Sequence, residues 1–321
     1  MKTCWLILLV GLSSCDRRPQ QPAPQPQTNV AESAVSVPKF DGQNAYKYLT
    51  AQTDFGPRNP GSDGYRKCLR FLQEELRTLA DAVSLQEFSN TNFKGETFKH
   101  SNMIAQFNSK AFVRILLTAH WDTRPWADND ENPANHTKPI LGANDGASGV
   151  AVLLEIARQL KAKAPIIGVD MVLFDCEDTG RRGETRSYAV GSQYFAKHLP
   201  SGMNPRFAVN LDMVGDRILT IPREQNSDRY APEVMNLIYD TARELGVSEF
   251  VNGVGEEIFD DHIPLNEAGI RSVDIIDFNY PDQSNKHWHS LEDTPDKCAP
   301  ESLEAVGKVL LQIIYAKEIA F

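Results

Sequence analysis

The stretch Arg114-Ile-Leu-Leu-Thr-Ala-His120-Trp121-Asp122 sets a continuous apolar run directly in front of a histidine and an aspartate. A short apolar run without polar alternation reads as a strand covered on both faces, the usual state of a strand in a parallel sheet. The same arrangement recurs downstream. Asp170-Met-Val-Leu-Phe-Asp-Cys-Glu177-Asp178 ends a second apolar run in two acids, and Asn210-Leu-Asp212-Met-Val-Gly places another acid at the end of a third. Gly142-Ala-Asn-Asp145-Gly adds an aspartate in a turn, and His287-Trp-His289-Ser adds a late histidine. Ligands of open α/β sheets bind outside the carboxyl ends of the strands, so these donors read as a metal site assembled along one sheet edge.

Working outward, residues 64–79 carry Leu69, Leu72, Leu76 and Leu79 at helical spacing. Residues 84–88 and 101–107 read as strands. A helix over 149–160 is apolar on most faces, hence buried, and 169–174 is a central strand. Strands over 207–213 and 272–278 and helices over 232–245 and 303–315 follow; Pro232 and Gly246 bracket the first of those helices. Strands separated by helices predict an α/β fold, a single domain with a mixed, mostly parallel twisted sheet flanked by helices.

The chain has 321 residues, 41% of them apolar, enough for a large core. Residues 40–321 contain no Gly/Ser/Pro-rich break, which favours one domain. The net charge of −10 and the scarcity of Lys/Arg clusters argue against nucleic acid as a partner, because such binding needs cationic surface. Small substrates or peptides fit better.

Lys2 precedes an apolar run from Trp5 to Leu12, too short to cross a bilayer but suited to a signal-peptide core. Leu12-Ser-Ser-Cys15 resembles a bacterial lipobox, which would make residues 1–14 a signal peptide and Cys15 the lipidated first residue. Residues 15–39 are rich in Pro and Gln and read as a tether. The expectation is a monomer in the periplasm of a Gram-negative bacterium, held to a membrane only by lipid. Cys68, Cys176 and Cys298 remain in the body, with no Cys-x-x-Cys pair. No disulfide is expected, and Cys176 reads as an inert thiol in an apolar strand.

Each motif alone has a bland reading. His-x-Asp is common, Asn-Asp-Gly is usually only a turn, Glu177-Asp178 could be a solvated pair, and the His289 segment could be a surface loop. Their order and placement together point to metal chemistry.

Those residues, with Phe55-Gly-Pro-Arg-Asn-Pro-Gly-Ser, the run from Ala119 through Trp126-Ala-Asp, Gly191-Ser-Gln-Tyr and Asp260-Asp-His-Ile-Pro, make the chain resemble the zinc-dependent exopeptidase superfamily. Within it the likeness is to animal-type glutaminyl-peptide cyclotransferases, particularly those of Gram-negative bacteria. The resemblance implies one zinc ion per chain, held by Asp145, Asp178 and His289 with a fourth position open. It implies Glu177 as the proton carrier, with Asp212 and Asp260 as two hydrogen-bonded acids behind it. Trp288 matches an aromatic wall of the substrate pocket, which His120 would also face. Two departures stand out. Asp178 replaces the glutamate usual in relatives, one methylene longer, so the metal must move or the loop must close in. Where a pocket tryptophan is usual, only Tyr188 is available. The cysteine pair of animal members is Ala119 and Val150 here.

The implied reaction is cyclisation of an N-terminal glutamine of a peptide or protein to pyroglutamate, with loss of ammonia. The nearest rival is a two-zinc aminopeptidase, because His120 and Asp212 are of the types and at the positions that bind the second metal in that branch. A peptide-binding lipoprotein on a degenerate enzyme fold would require lost chemical groups, and none is lost.

Overall fold

In the computed structural model the described residues are 1–3, 5, 6, 8, 10, 11 and 36–319. The chain divides into an N-terminal unit, Met1–Ala34, and a body, Val35–Phe321. The described residues of the first unit form no helix or strand. Cys15 and most of the expected tether lie outside the described residues.

The body is built on a six-stranded sheet in the order β1-β2-β4-β3-β5-β8. Its strands are β1 (Ala82–Thr91), β2 (Thr97–Phe107), β3 (Arg114–His120), β4 (Gly168–Phe174), β5 (Ala208–Asp212) and β8 (Ser272–Ile276). β3 runs parallel to β4 and β5, and β5 parallel to β8, while β2 pairs antiparallel with both β1 and β4. The sheet is therefore mixed, with four parallel strands at its heart. β6 (Ile221–Arg223) and β7 (Phe250–Val254) form a separate two-stranded sheet.

The period-2 alternation of the strands splits the core into two faces. Ile115, Leu117 and Ala119 of β3 and Val169, Met171 and Leu173 of β4 join the larger cluster. Against it pack α1 (Gly42–Thr53), α2 (Asp63–Leu79), α3 (Ser148–Ala162), α6 (Pro232–Leu245) and α8 (Pro300–Ala316). Leu116, Val172 and Phe174 face the other way, toward Phe195 of α4 (Val190–Lys197) and Leu265 of α7 (His262–Glu267). The short α5 (Gln225–Tyr230) contacts β8 and α7. Helices thus cover both faces, as the unalternated strands predict.

Local chemistry sets the ends. Ser62 caps α2 by accepting the Tyr65 N–H at 3.0 Å, and Cys68, Leu72 and Leu76 make its buried stripe. α6 starts at Pro232 and stops at Gly246, whose φ is 68°. The third and last parallel strands stop earlier than expected, at Asp212 and Ile276; after the former Met213 turns to φ 50°. Cys176 is not within a strand: it lies two residues past β4 with φ 61°. Cys68, Cys176 and Cys298 are all free and buried.

Candidate functional site

β3, β4, β5 and β8 share one direction, so their C-terminal ends share one edge, and the functional side chains sit there. Asp122, two residues past His120, is wholly buried and accepts the N–H groups of Glu177 at 3.0 Å and Asp178 at 3.3 Å. Its carboxylate fixes the loop that leaves β4. The left-handed residue Cys176 and the Ala189 N–H on the Glu177 carbonyl at 2.9 Å complete that turn.

Asp145 arrives on a separate loop just ahead of α3. Asp293 holds that loop by accepting the N–H of Asn144 at 2.8 Å and of Asp145 at 3.1 Å. Gly146 has φ 104°, and a Cβ there would lie 2.4 Å from the Asp122 carbonyl. Only glycine lets the two loops approach this closely. Arg58, fully buried, bridges them by donating to the carbonyls of Trp121, Leu141 and Gly142 at 3.0, 2.8 and 2.7 Å.

The donors converge. Ligand atoms of Asp145, Asp178 and His289 lie within 4.8 Å of one another, and so do those of His120, Asp145 and Asp212. His289 Nε2 is 3.1 Å from Asp178 Oδ1 and 3.5 Å from Asp145 Oδ2. Burial, with the charge of Arg124, pushes the His289 pKa down to about 3, which keeps the imidazole neutral and able to ligate. Asp145 Oδ2 and Asp178 Oδ2 are buried without a hydrogen-bond partner. Two orphaned carboxylate oxygens facing a neutral imidazole fit a divalent cation, and the Asp/Asp/His set suits zinc.

Arg124 answers the question raised by the short Asp178 side chain. Its guanidinium is 1% exposed, donates to Asp178 Oδ1 at 3.1 Å and to the carbonyls of Asp178 and Gly180 at 3.2 and 3.3 Å, and grips Asp128 with two bonds. Held in this way, the shorter acid reaches His289 Nε2 at 3.1 Å. Burial raises the Asp178 pKa to about 7 against the opposing charge of Arg124.

Glu177 is buried beside these groups and lines the same cavity, of about 350 Å³. Burial, reinforced by the charges of Asp178, Asp260 and Asp261, raises its pKa well above the usual carboxylate range. Tyr188, Phe259, Phe278 and Trp288 supply aromatic walls. Trp288 stacks on His289 with ring centres 3.8 Å apart and meets Phe278 edge-on at 5.1 Å.

Two expectations need correction. His120 does not face the cavity: it is 2% exposed and sits behind the wall, where Nε2 approaches Asp212 Oδ1 at 3.1 Å and Asp145 Oδ1 at 3.2 Å. Asp212 and Asp260 both line the cavity, yet the hydrogen bond of Asp212 goes to His120. Asp260 Oδ1 accepts the Asp261 N–H and its Oδ2 has no partner. Asp260 is raised to about 6 by burial and by the charge of Asp212, so the two interact through charge.

With this geometry in place, the profile of peptidase family M28 matches residues 102–314. The chain belongs to peptidase family M28. This M28 enzyme is 40% identical to the glutaminyl cyclase of Tannerella forsythia, with a TM-score of 0.84 over 88% of this chain and 100% of that one. It is 37% identical to a protein described as a leucine aminopeptidase precursor from Bacteroides thetaiotaomicron, at a TM-score of 0.85 and the same coverage of 88% and 100%. The glutaminyl-peptide cyclotransferase of Bos taurus is 26% identical over 298 residues, 81% of this chain and 79% of its own. Family and relatives imply zinc, which the M28 enzyme's donor set accommodates.

Proposed function

We propose that the protein cyclises the N-terminal glutamine of peptides and proteins to pyroglutamate, releasing ammonia. What carries the reading is the cavity in which Asp145, Asp178 and His289 converge beside Glu177, walled by aromatic rings. The likeness to glutaminyl cyclases supports it.

Bound by Asp145, Asp178 and His289, one zinc ion would supply Lewis-acid polarisation of the substrate's γ-amide carbonyl. The chain's own groups do the rest. Glu177, with its raised pKa, takes a proton from the α-amine as the nitrogen attacks the γ-carbon, then returns it to the departing amide nitrogen, which leaves as ammonia. Trp288, Tyr188, Phe259 and Phe278 hold the side chain folded toward its own amine and keep out water, which would compete as nucleophile. Asp212 and Asp260 border the same cavity, and the charge of Asp260 bears on the proton that Glu177 carries.

A second reading has its own observation. The trio His120, Asp145 and Asp212 would hold a second cation with Asp145 shared, the arrangement of a two-zinc aminopeptidase. Incubating the protein with a Gln-initiated peptide separates the two by mass spectrometry: loss of ammonia supports cyclisation, and release of free glutamine supports the aminopeptidase. The proposal extends to a monomeric, periplasmic lipoprotein anchored through Cys15, on the strength of the lipobox and the tether composition.

A further inference from the structure

Beside the catalytic cavity lies a second one, of about 470 Å³, and the two share Glu256, Ile258, Ile276 and Phe278 in their walls. We infer that this second cavity is the subsite for substrate residues downstream of the N-terminal glutamine, and that it prefers an apolar side chain there. The inference rests on the reading of the first cavity as the seat of a peptide N-terminus.

The partition between the cavities is fixed in place. Ile258 donates its N–H to Glu224 Oε1 at 2.9 Å, and its carbonyl accepts from Asn226 Nδ2 at 2.8 Å. Phe278 is held edge-on against Trp288. A peptide with its first residue in the catalytic cavity therefore meets a fixed ridge whose apolar members are Ile258, Ile276 and Phe278, and a chain extending about 3.4 Å per residue crosses it within a few residues. Beyond the ridge, Pro222 and Val254 add apolar surface and Thr220, Asn279 and Gln283 add neutral hydrogen-bonding groups; of the two acids in the lining, Glu224 is 1% exposed and taken up by the N–H groups of Asn226, Ser227 and Ile258, and Glu256 lies on the ridge itself. Val254 ends β7, one strand of the two-stranded sheet, and is 85% exposed. Gly255 permits this approach, since a Cβ there would lie 2.9 Å from the Arg223 carbonyl. An exposed apolar residue beside an edge strand is what an extended peptide can cover.

The test scans leucine through positions two to four of Gln-initiated tetrapeptides whose other residues are glycine, with Gln-Gly amide as the minimal substrate. Half-burying one leucine predicts about a tenfold gain in kcat/KM at position three or four, carried by KM. Val254→Asp should abolish that gain and leave turnover of Gln-Gly amide unchanged. No gain at any position, or the same gain in Val254→Asp, overturns the subsite while cyclisation stands. Anisotropy of the best tetrapeptide, labelled at its C-terminus, reads the subsite without chemistry. Val254-dependent binding of a peptide that is never cyclised would support the subsite and sink the cyclase reading.

Discussion

Glu177→Gln separates the proton carrier from the metal site. The main chain of Glu177 is held independently of its side chain, by Asp122 on the N–H and by the Ala189 N–H on the carbonyl. Gln has the same shape and leaves that grip intact, so thermal stability should stay within about 0.5 kcal/mol of the parent, and zinc content should be unchanged. The amide cannot accept the amine proton. Loss of general acid–base catalysis is worth roughly two to four orders of magnitude, or about 3–5 kcal/mol on the barrier. Peptide affinity should move far less, because the walls at Trp288, Tyr188 and Phe259 remain. The assay combines ammonia release from a Gln-initiated peptide, zinc by elemental analysis, and a thermal melt. Turnover within threefold of the parent, with zinc retained, would refute the assignment and pass the proton to another acid, Asp212 first.

Three further outcomes are expected. One zinc per chain should be found, lost together with activity in Asp178→Ala and in His289→Ala; two equivalents, one of them removed by His120→Ala, would move the enzyme to the aminopeptidases. Cys15→Ser should shift the protein from the membrane fraction to an unprocessed or soluble form, and equal partitioning of mutant and parent would end the lipoprotein proposal. Burial opposes ionisation of Glu224, but His262, the N–H of Ile258 and the hydroxyl of Ser227 outweigh it and lower the pKa from 4.5 to about 2. The resulting stabilisation, at most about 3 kcal/mol, is present above pH 4.5 and lost as pH falls toward 2. Denaturant melts of Glu224→Gln should therefore show a deficit at pH 7 that closes across that acid range, and a pH-independent deficit would contradict the sign.

The parallel heart of the fold was legible because β3, β4 and their neighbours are unbroken apolar runs whose ends carry the chemistry. Residues 232–245 match α6 residue for residue because Pro232 and Gly246 mark its ends. α4, α5 and α7 went unread, since six to eight residues hold too few turns to display a period. The antiparallel pairing of β2 with β4 is equally invisible in sequence, for it depends on which edge a hairpin joins. At the site, the donors were readable from type and position. Arg58 and Arg124 were not, because an arginine in sequence gives no sign that it will be buried among carbonyls. Asp122 carried a faint signal, two residues after His120 where a strand ends, but its service to the Glu177 and Asp178 N–H groups is a contact between distant segments.

The charge arrangement explains why the site needs those arginines and a cation as well. Asp145, Asp178, Glu177 and Asp212 line one cavity, with Asp122 and Asp293 buried behind them. Isolated buried carboxylates cost several kcal/mol each unless they are paired or shed their charge, and the raised values at Glu177, Asp178 and Asp212 record that strain. Arg124 relieves it on one side only, because its fork is divided between Asp128 and Asp178. His120 relieves it on the other, between Asp145 and Asp212. Asp145 Oδ2 and Asp178 Oδ2 stay uncompensated between these two cationic arms, on either side of neutral His289. A divalent ion held by Asp145, Asp178 and His289 would complete the charge balance there. Glu177, whose side chain takes no part in either arm, stays free to accept a proton and hand it back.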